Sequence, residues 1–188
     1  MQHLKSPQDQ IYAEVIQYMD ETSHSFPVWD RSFFYYIRTV QGQSYPLHCR
    51  APIPKTDDGE SFNSGLYLKK YLSSWDGHRE SPILPNEVVY MDENVLAQNY
   101  DFFSTGTLAI SPSQQRLAYT LDTTGNELYQ LYVVDLISGK TLFVSDPDKD
   151  GYLTDDVSWG LDDDTLFYTK PDEIERPYQV YRRDLLQG

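Results

Sequence analysis

Asp146, Asp148, Asp150 and Gly151 read Asp-x-Asp-x-Asp-Gly, the spacing at which three carboxylates converge on a calcium ion while the glycine permits a tight turn. The second half of such a loop departs from the pattern. Counted from Asp146, the position that should carry a bidentate glutamate is Val157, and strand-like rather than helical sequence flanks the run. Asp155 and Asp156 stand close enough in sequence to supply compensating oxygen. Two readings stay open, a calcium loop and an acidic turn between strands, and the flanking sequence favours the turn.

Nucleophilic chemistry has less support. An α/β-hydrolase serine stands on a sharp strand-to-helix elbow, Gly-x-Ser-x-Gly, so that its hydroxyl meets a base and oxyanion donors. No such pentapeptide occurs; Ser61 and Ser64 lie near glycines but lack the flanking pattern. His3, His24, His48 and His78 are scattered along the chain, and none has a carboxylate at a spacing that implies a general base or a metal ligand. His48 reads as a strand residue with a satisfied imidazole. Cys49 is the one cysteine, so no disulfide forms within the chain; two residues after Leu47 on a strand, it reads as a small core residue. No catalytic, cofactor-binding or metal residue is assigned, and no cofactor is expected.

The charge balance narrows the partners. With 29 acidic against 15 basic residues, the formal net charge of −14 makes nucleic acid a poor partner and cationic ligands a better one. No apolar run approaches the roughly 18 residues of a spanning helix, so no membrane partner is expected. Asp9, Glu14 and Asp20 are unlike a secretory signal, which leaves the cytoplasm as the default compartment. Sixteen tyrosines against eight phenylalanines suit half-buried strands whose hydroxyls reach water or backbone.

The elements that would position these residues begin with a helix over 6–21, capped by Ser6, with Pro7 in its first turn and Asp9 at the capping-box position. Ile11, Tyr12, Val15, Ile16 and Met19 fall on one face, which predicts packing against a larger body. Residues 24–30 read as an extended connection. Strands are expected at 33–40 and 45–50 around Gln41-Gly42-Gln43, then an insertion over 54–82 with a turn of helix at 66–72, then a strand at 87–91 and a short helix or wide turn at 92–98. Four strands follow, at 108–111, 116–121, 127–136 and 141–144.

The stretch 108–139 recurs without a gap at 157–188. Tyr119 matches Tyr168, Tyr129 matches Tyr178 and Asp135 matches Asp184, always at one offset (168 − 119 = 178 − 129 = 184 − 135 = 49). A period of about 40 to 50 residues built from short strands marks a β-propeller blade. The expected fold is therefore all-β: an incomplete β-propeller with one complete four-stranded blade, one truncated blade and additional amino-terminal strands, preceded by a short α-helix. The expected domains are a lead-in over 1–30 and a partial propeller over 31–188. Four blades of this period would need 196 residues (4 × 49), more than the 188 present, so the ring is expected not to close and to expose a blade face and a strand edge.

Several runs carry a family likeness. Tyr35-Tyr36-Ile37-Arg38-Thr39, Tyr45-Pro46-Leu47-His48-Cys49-Arg50, Asp101-Phe102-Phe103-Ser104 and Asp122-Thr123-Thr124-Gly125-Asn126-Glu127-Leu128-Tyr129 resemble the amino-terminal region of the prolyl oligopeptidase family, its oligopeptidase B branch above all. Leu166-Phe167-Tyr168-Thr169 and Arg176-Pro177-Tyr178-Gln179-Val180-Tyr181 add to the match, and the 54–82 insertion departs from it. The resemblance implies a propeller fused to an α/β-hydrolase domain with a Ser, Asp and His triad, with cleavage after Lys or Arg and restriction to short peptides. It makes this chain the propeller portion, gating short basic peptides and inactive alone, with a catalytic domain or further blades as partners. A non-catalytic interaction module and an inert truncated remnant remain the alternatives.

Overall fold

The computed structural model describes residues 5–17, 21–55 and 62–186. The chain divides into two compact units, Met1–Leu96 and Ala97–Gly188.

The first unit opens with helix α1 (Lys5–Gln17). Pro7 lies in the first described turn, as expected, and the side chain of Ser6, expected as the cap, falls outside the described residues. The apolar face does not find a larger body: Ile11, Tyr12 and Val15 are 62%, 68% and 51% exposed. Met19 and the side chain of Ile16 fall outside the described residues, as does the stretch that would carry the helix toward Glu21. Residues 24–30, expected as a plain connection, contribute two short strands, β1 (Ser23–His24) and β2 (Val28–Asp30). Both pair antiparallel with β3 (Phe33–Thr39), which pairs with β4 (Leu47–Pro52), and β4 pairs with β5 (Val88–Asp92).

The register of β3 on β4 sets Phe34 opposite Ala51, Tyr36 opposite Cys49 and Arg38 opposite Leu47. These pairs share one face because side chains alternate along a strand. That face is closed by the insertion, which forms helix α2 (Ser64–Leu72), two full turns rather than one, started by the Asn63 side chain accepting from the Leu66 amide. Leu68, Ile83 and Leu84 complete a core with Phe34, Tyr36, Leu47, Cys49 and Ala51. After β5 the chain turns through a short helix, α3 (Glu93–Leu96).

The second unit carries the repeat. Strands β6 (Ser104–Ile110), β7 (Arg116–Asp122), β8 (Gln130–Asp135) and β9 (Thr141–Val144) form one four-stranded antiparallel sheet in chain order. After a single turn of helix, α4 (Pro147–Asp150), strands β10 (Val157–Trp159), β11 (Thr165–Pro171) and β12 (Pro177–Asp184) form a three-stranded one. The offset of 49 is visible in side chains. Tyr119 stacks on Tyr132 at 5.1 Å and 11°, and their counterparts Tyr168 and Tyr181 stack at 5.8 Å and 9°.

Acidic residues hold the turns. Asp122 takes the Thr124 and Gly125 amides on one carboxylate oxygen and the Glu127 amide on the other, which lets the chain reverse through Gly125 at φ +81°. Asp135 accepts from the amides of Ile137 and Ser138, and its counterpart Asp184 accepts from that of Leu186. At Gly106 a Cβ would stand 2.8 Å from the Cβ of Asp155, so only glycine lets β6 approach the segment leading into β10. The architecture is the one read from the sequence: antiparallel blades of one repeat with a short helix before them.

Candidate functional site

The residues flagged as chemically capable are dispersed or already engaged. Asp146 caps α4, accepting from the Asp148 amide and pairing with Lys149 at 2.9 Å; Asp150 pairs with Arg183 at 3.1 Å. Lys149 and the amide hold the Asp146 carboxyl below its usual value. Among the described residues, no group of three or more His, Cys, Asp or Glu side chains could hold a metal ion. Ser64 is the first residue of α2, with no strand directly ahead of it among the described residues, and Ser61 and His3 lie outside the described residues. His24 meets the Trp75 ring edge-on at 5.7 Å, and the His78 amide donates to Asp76.

His48 has a partner that its sequence neighbourhood hides. Its Nε2 lies 2.6 Å from Oε1 of Glu93, 45 positions later, with the two side chains 9% and 7% exposed. The pairing of β4 with β5 brings them together, since His48 stands opposite Met91, two residues before Glu93. A buried histidine oriented by a carboxylate is two-thirds of a triad. The neighbouring thiol does not complete it, because Cys49 points to the opposite face of β4, where its Sγ lies 3.7 Å from the Leu47 carbonyl. Burial pushes that thiol up to about 12, so it stays protonated and inert near neutral pH.

Glu87 is the polar centre of the first unit's core. Its carboxylate pairs with the Arg38 guanidinium at 2.9 Å, accepts the Tyr36 hydroxyl at 2.5 Å and accepts the Ile83 amide at 2.8 Å. Arg38 and Glu87 are 3% and 2% exposed, so the pair is fully withdrawn from water. Desolvation, then the hydrogen bond to Glu87 and the Glu87 charge, drive the Tyr36 hydroxyl far above its ordinary value, which keeps it a donor. This cluster anchors the end of the insertion to β3; every oxygen has a structural task.

The surface best suited to recognition lies in the second unit. Where the two sheets meet, Ala118, Leu131 and Val133 of the four-stranded sheet are buried with Leu153, Val157, Leu166 and Tyr168. Polar bonds fix that contact: Trp159 Nε1 donates to the Ala109 carbonyl at 2.9 Å, Thr120 Oγ1 to the Asp155 carbonyl at 2.6 Å, and Arg116 pairs with Asp164 at 2.6 Å. The far face of the three-stranded sheet is open. Phe167 is 39% and Val180 73% exposed, around a shallow cavity of about 280 Å³ lined also by Asp156, Ser158 and Thr169. No spacing signal marks this face; the repeat alone could have found it, by comparison with positions 49 earlier. Among the described residues, no helix is long and apolar enough to cross a membrane.

Comparison with known proteins places this geometry. Residues 1–187 match the family described as prolyl oligopeptidase, N-terminal beta-propeller domain. The chain is 28% identical over 185 residues to Protease 2 of Moraxella lacunata, covering 98% of this chain and 23% of the relative. It is 28% identical over 172 residues to dipeptidyl aminopeptidase BI of Pseudoxanthomonas mexicana, covering 92% of this chain and 21% of that protein. The solved oligopeptidase B of Trypanosoma brucei, closed and with covalently bound antipain, superposes with a TM-score of 0.71 at 29% identity, over 96% of this chain and 21% of that one. Oligopeptidase B of Leishmania major shares the fold with a TM-score of 0.68 at 23% identity, over 94% of this chain and 21% of that one. The chain thus spans about a fifth of the length of the relatives it matches.

Proposed function

The chain belongs to the prolyl oligopeptidase family, matching its amino-terminal propeller region, and on that premise we propose that it is the propeller portion of an oligopeptidase B-like serine peptidase. In this role it gates the access of short basic peptides to a catalytic α/β-hydrolase domain outside this sequence. The observation that carries the reading is the consecutive packing of two sheets of one 49-residue repeat, in a chain that matches the oligopeptidase B of Trypanosoma brucei over nearly all its length. The net charge of −14 supports the preference for basic peptides, since a negative surface raises the local concentration of Lys- and Arg-containing chains. A single buried cysteine supports a cytoplasmic setting.

The reading assigns the nucleophile to another part of the enzyme. His48 and Glu93 then serve as a buried structural pair joining β4 to α3. A short arginyl peptide incubated with the purified chain tests this: no turnover is expected, and reproducible turnover that survives repurification would place a nucleophile here and defeat the assignment.

A further inference from the structure

Three segments of the first unit wall a cavity of about 400 Å³: residues 52–55 at the end of β4, Tyr67 and Tyr71 of α2, and Pro85 with Asn86 ahead of β5. That volume suits a small molecule. Each wall is held from behind. The Ile53 amide donates to the Ser32 carbonyl at 2.9 Å. Tyr67 stacks on the buried ring of Phe34 at 6.0 Å and 15°, so the core fixes its orientation. Pro85 and Asn86 are the middle of a turn closed by the Glu87 amide donating to the Leu84 carbonyl at 3.1 Å, with Asn86 at φ +59°, a left-handed value that asparagine tolerates. The buried Glu87 carboxylate, bound to Arg38, Tyr36 and the Ile83 amide, pins that turn.

The walls are flat and apolar, and the charges beside them are positive. Tyr67 and Tyr71 stand four residues apart on one helix face, with ring centroids 4.9 Å apart at 58°. Pro52, Pro54 and Pro85 add pyrrolidine faces. Lys55 lines the cavity, and the Lys70 ammonium lies 4.9 Å from the centroid of the Tyr71 ring. Among the described residues no Asp or Glu lines this cavity, and neither lysine pairs with a carboxylate. In a chain with 29 acidic against 15 basic residues, this is a local reversal of sign. Burial, then the neighbouring Tyr71, raise the Tyr67 hydroxyl above its usual value, which keeps it a hydrogen-bond donor.

Ring faces favour a planar apolar body, and two ammonium groups favour an anion. A cationic ligand would meet like charges. A neutral proline-rich peptide suits the aromatic walls but leaves both lysines without a counterpart. We infer that this cavity binds a small aromatic carboxylate, its ring against Tyr67, Tyr71 and the prolines and its carboxylate toward Lys55 and Lys70. The inference goes beyond the gating role and does not rest on it, since the walls come from the first unit alone.

Isothermal titration of the purified chain with 2-naphthoate tests it. Saturable binding at one site is expected, and 2-naphthylmethanol, the neutral counterpart, should bind about tenfold more weakly. Lys55→Gln and Lys70→Gln should each weaken naphthoate binding about threefold, and about tenfold together, while leaving the alcohol unaffected. Tyr71→Leu should weaken both ligands about fivefold. Lys55 and Lys70 are exposed, so the lysine variants keep the fold and the test intact even where Tyr71→Leu does not. Absence of saturable naphthoate binding at millimolar concentration would overturn the inference. Equal affinity for the acid and the alcohol, or naphthoate binding that the paired lysine substitutions leave unchanged, would do the same. Tighter binding of a neutral hexaproline peptide than of naphthoate would make the cavity a peptide groove and also overturn it.

Discussion

Leu131 and Val180 occupy equivalent places on consecutive sheets, 49 residues apart, yet Leu131 is 1% exposed and Val180 73%. The difference comes from what lies above them, since the three-stranded sheet and the segment leading into it cover Leu131 in a shared cluster with Leu153, Val157 and Leu166. Truncation should therefore have opposite consequences at the two sites. Leu131→Ala is expected to destabilise the chain by about 2–5 kcal/mol, and Val180→Ala by less than about 0.5 kcal/mol. Urea unfolding of both variants checks this; equal losses would mean that the two faces are not differently covered.

Glu87 should be the most sensitive polar position. Removing it leaves the Arg38 guanidinium buried at 3% exposure without its carboxylate and frees the Tyr36 hydroxyl and Ile83 amide. Glu87→Ala is expected to cost about 3–5 kcal/mol, the range for breaking one side of a buried pair. The double variant Glu87→Leu with Arg38→Met should recover the share owed to the unpaired guanidinium, because apolar side chains of similar volume carry no desolvation penalty, while the Tyr36 hydroxyl and Ile83 amide still lack the Glu87 acceptor. If the double variant is as unstable as the single one in thermal melts, the charge pair is not the source of the effect.

Burial of Cys49 predicts an alkaline limit. The folded thiol is pushed from 9.0 to about 12, so between those values the unfolded chain loses a proton that the folded chain keeps. The stabilisation is fully present below pH 9 and is lost as pH rises toward 12, at up to about 1.4 kcal/mol per pH unit. Tyr36, also raised, acts in the same direction above pH 10. Melting temperatures between pH 8 and 11 should fall less steeply in Cys49→Ala than in the parent chain; identical slopes would assign the alkaline loss elsewhere.

The acidic run at Asp146, Asp148 and Asp150 is expected to behave as a turn. Asp146 is engaged with Lys149 and the Asp148 amide, and Asp150 with Arg183, so a cation would have to displace these partners. Millimolar calcium should leave the melting temperature unchanged, whereas a saturable rise would show a site that forms only when metal binds.

Most of the second unit was legible because its signal is local and repeated. The strand Thr141–Val144 lies where its sequence put it, and the tyrosine stacks at 119/132 and 168/181 follow from one offset. The first unit was legible in part. Val28–Asp30 forms a strand because the chain reverses at once through Arg31 and Ser32, with Arg31 at φ +53°, and lays it on β3, a tight hairpin that neither Pro27 nor the Arg31-Ser32 pair announces. The 66–72 segment extends to nine residues of helix because Asn63 caps it and Leu68 enters the core. His48 and Glu93 are 45 residues apart, beyond any spacing rule, and meet through the pairing of β4 with β5. The stripe of Ile11, Tyr12 and Val15 has helical periodicity yet remains exposed, since periodicity reports a face and not what covers it.

The central claim is that this chain serves as the gating propeller portion of an oligopeptidase B-like peptidase. Its most direct test is a chimera in which this chain replaces the matching amino-terminal region of Protease 2 from Moraxella lacunata, assayed on a short arginyl peptide and on a folded protein containing the same arginyl sequence. The account predicts that the chimera cleaves the peptide and spares the folded protein. A chimera that folds, as judged by its circular dichroism, but leaves the peptide uncut or digests both substrates would contradict it.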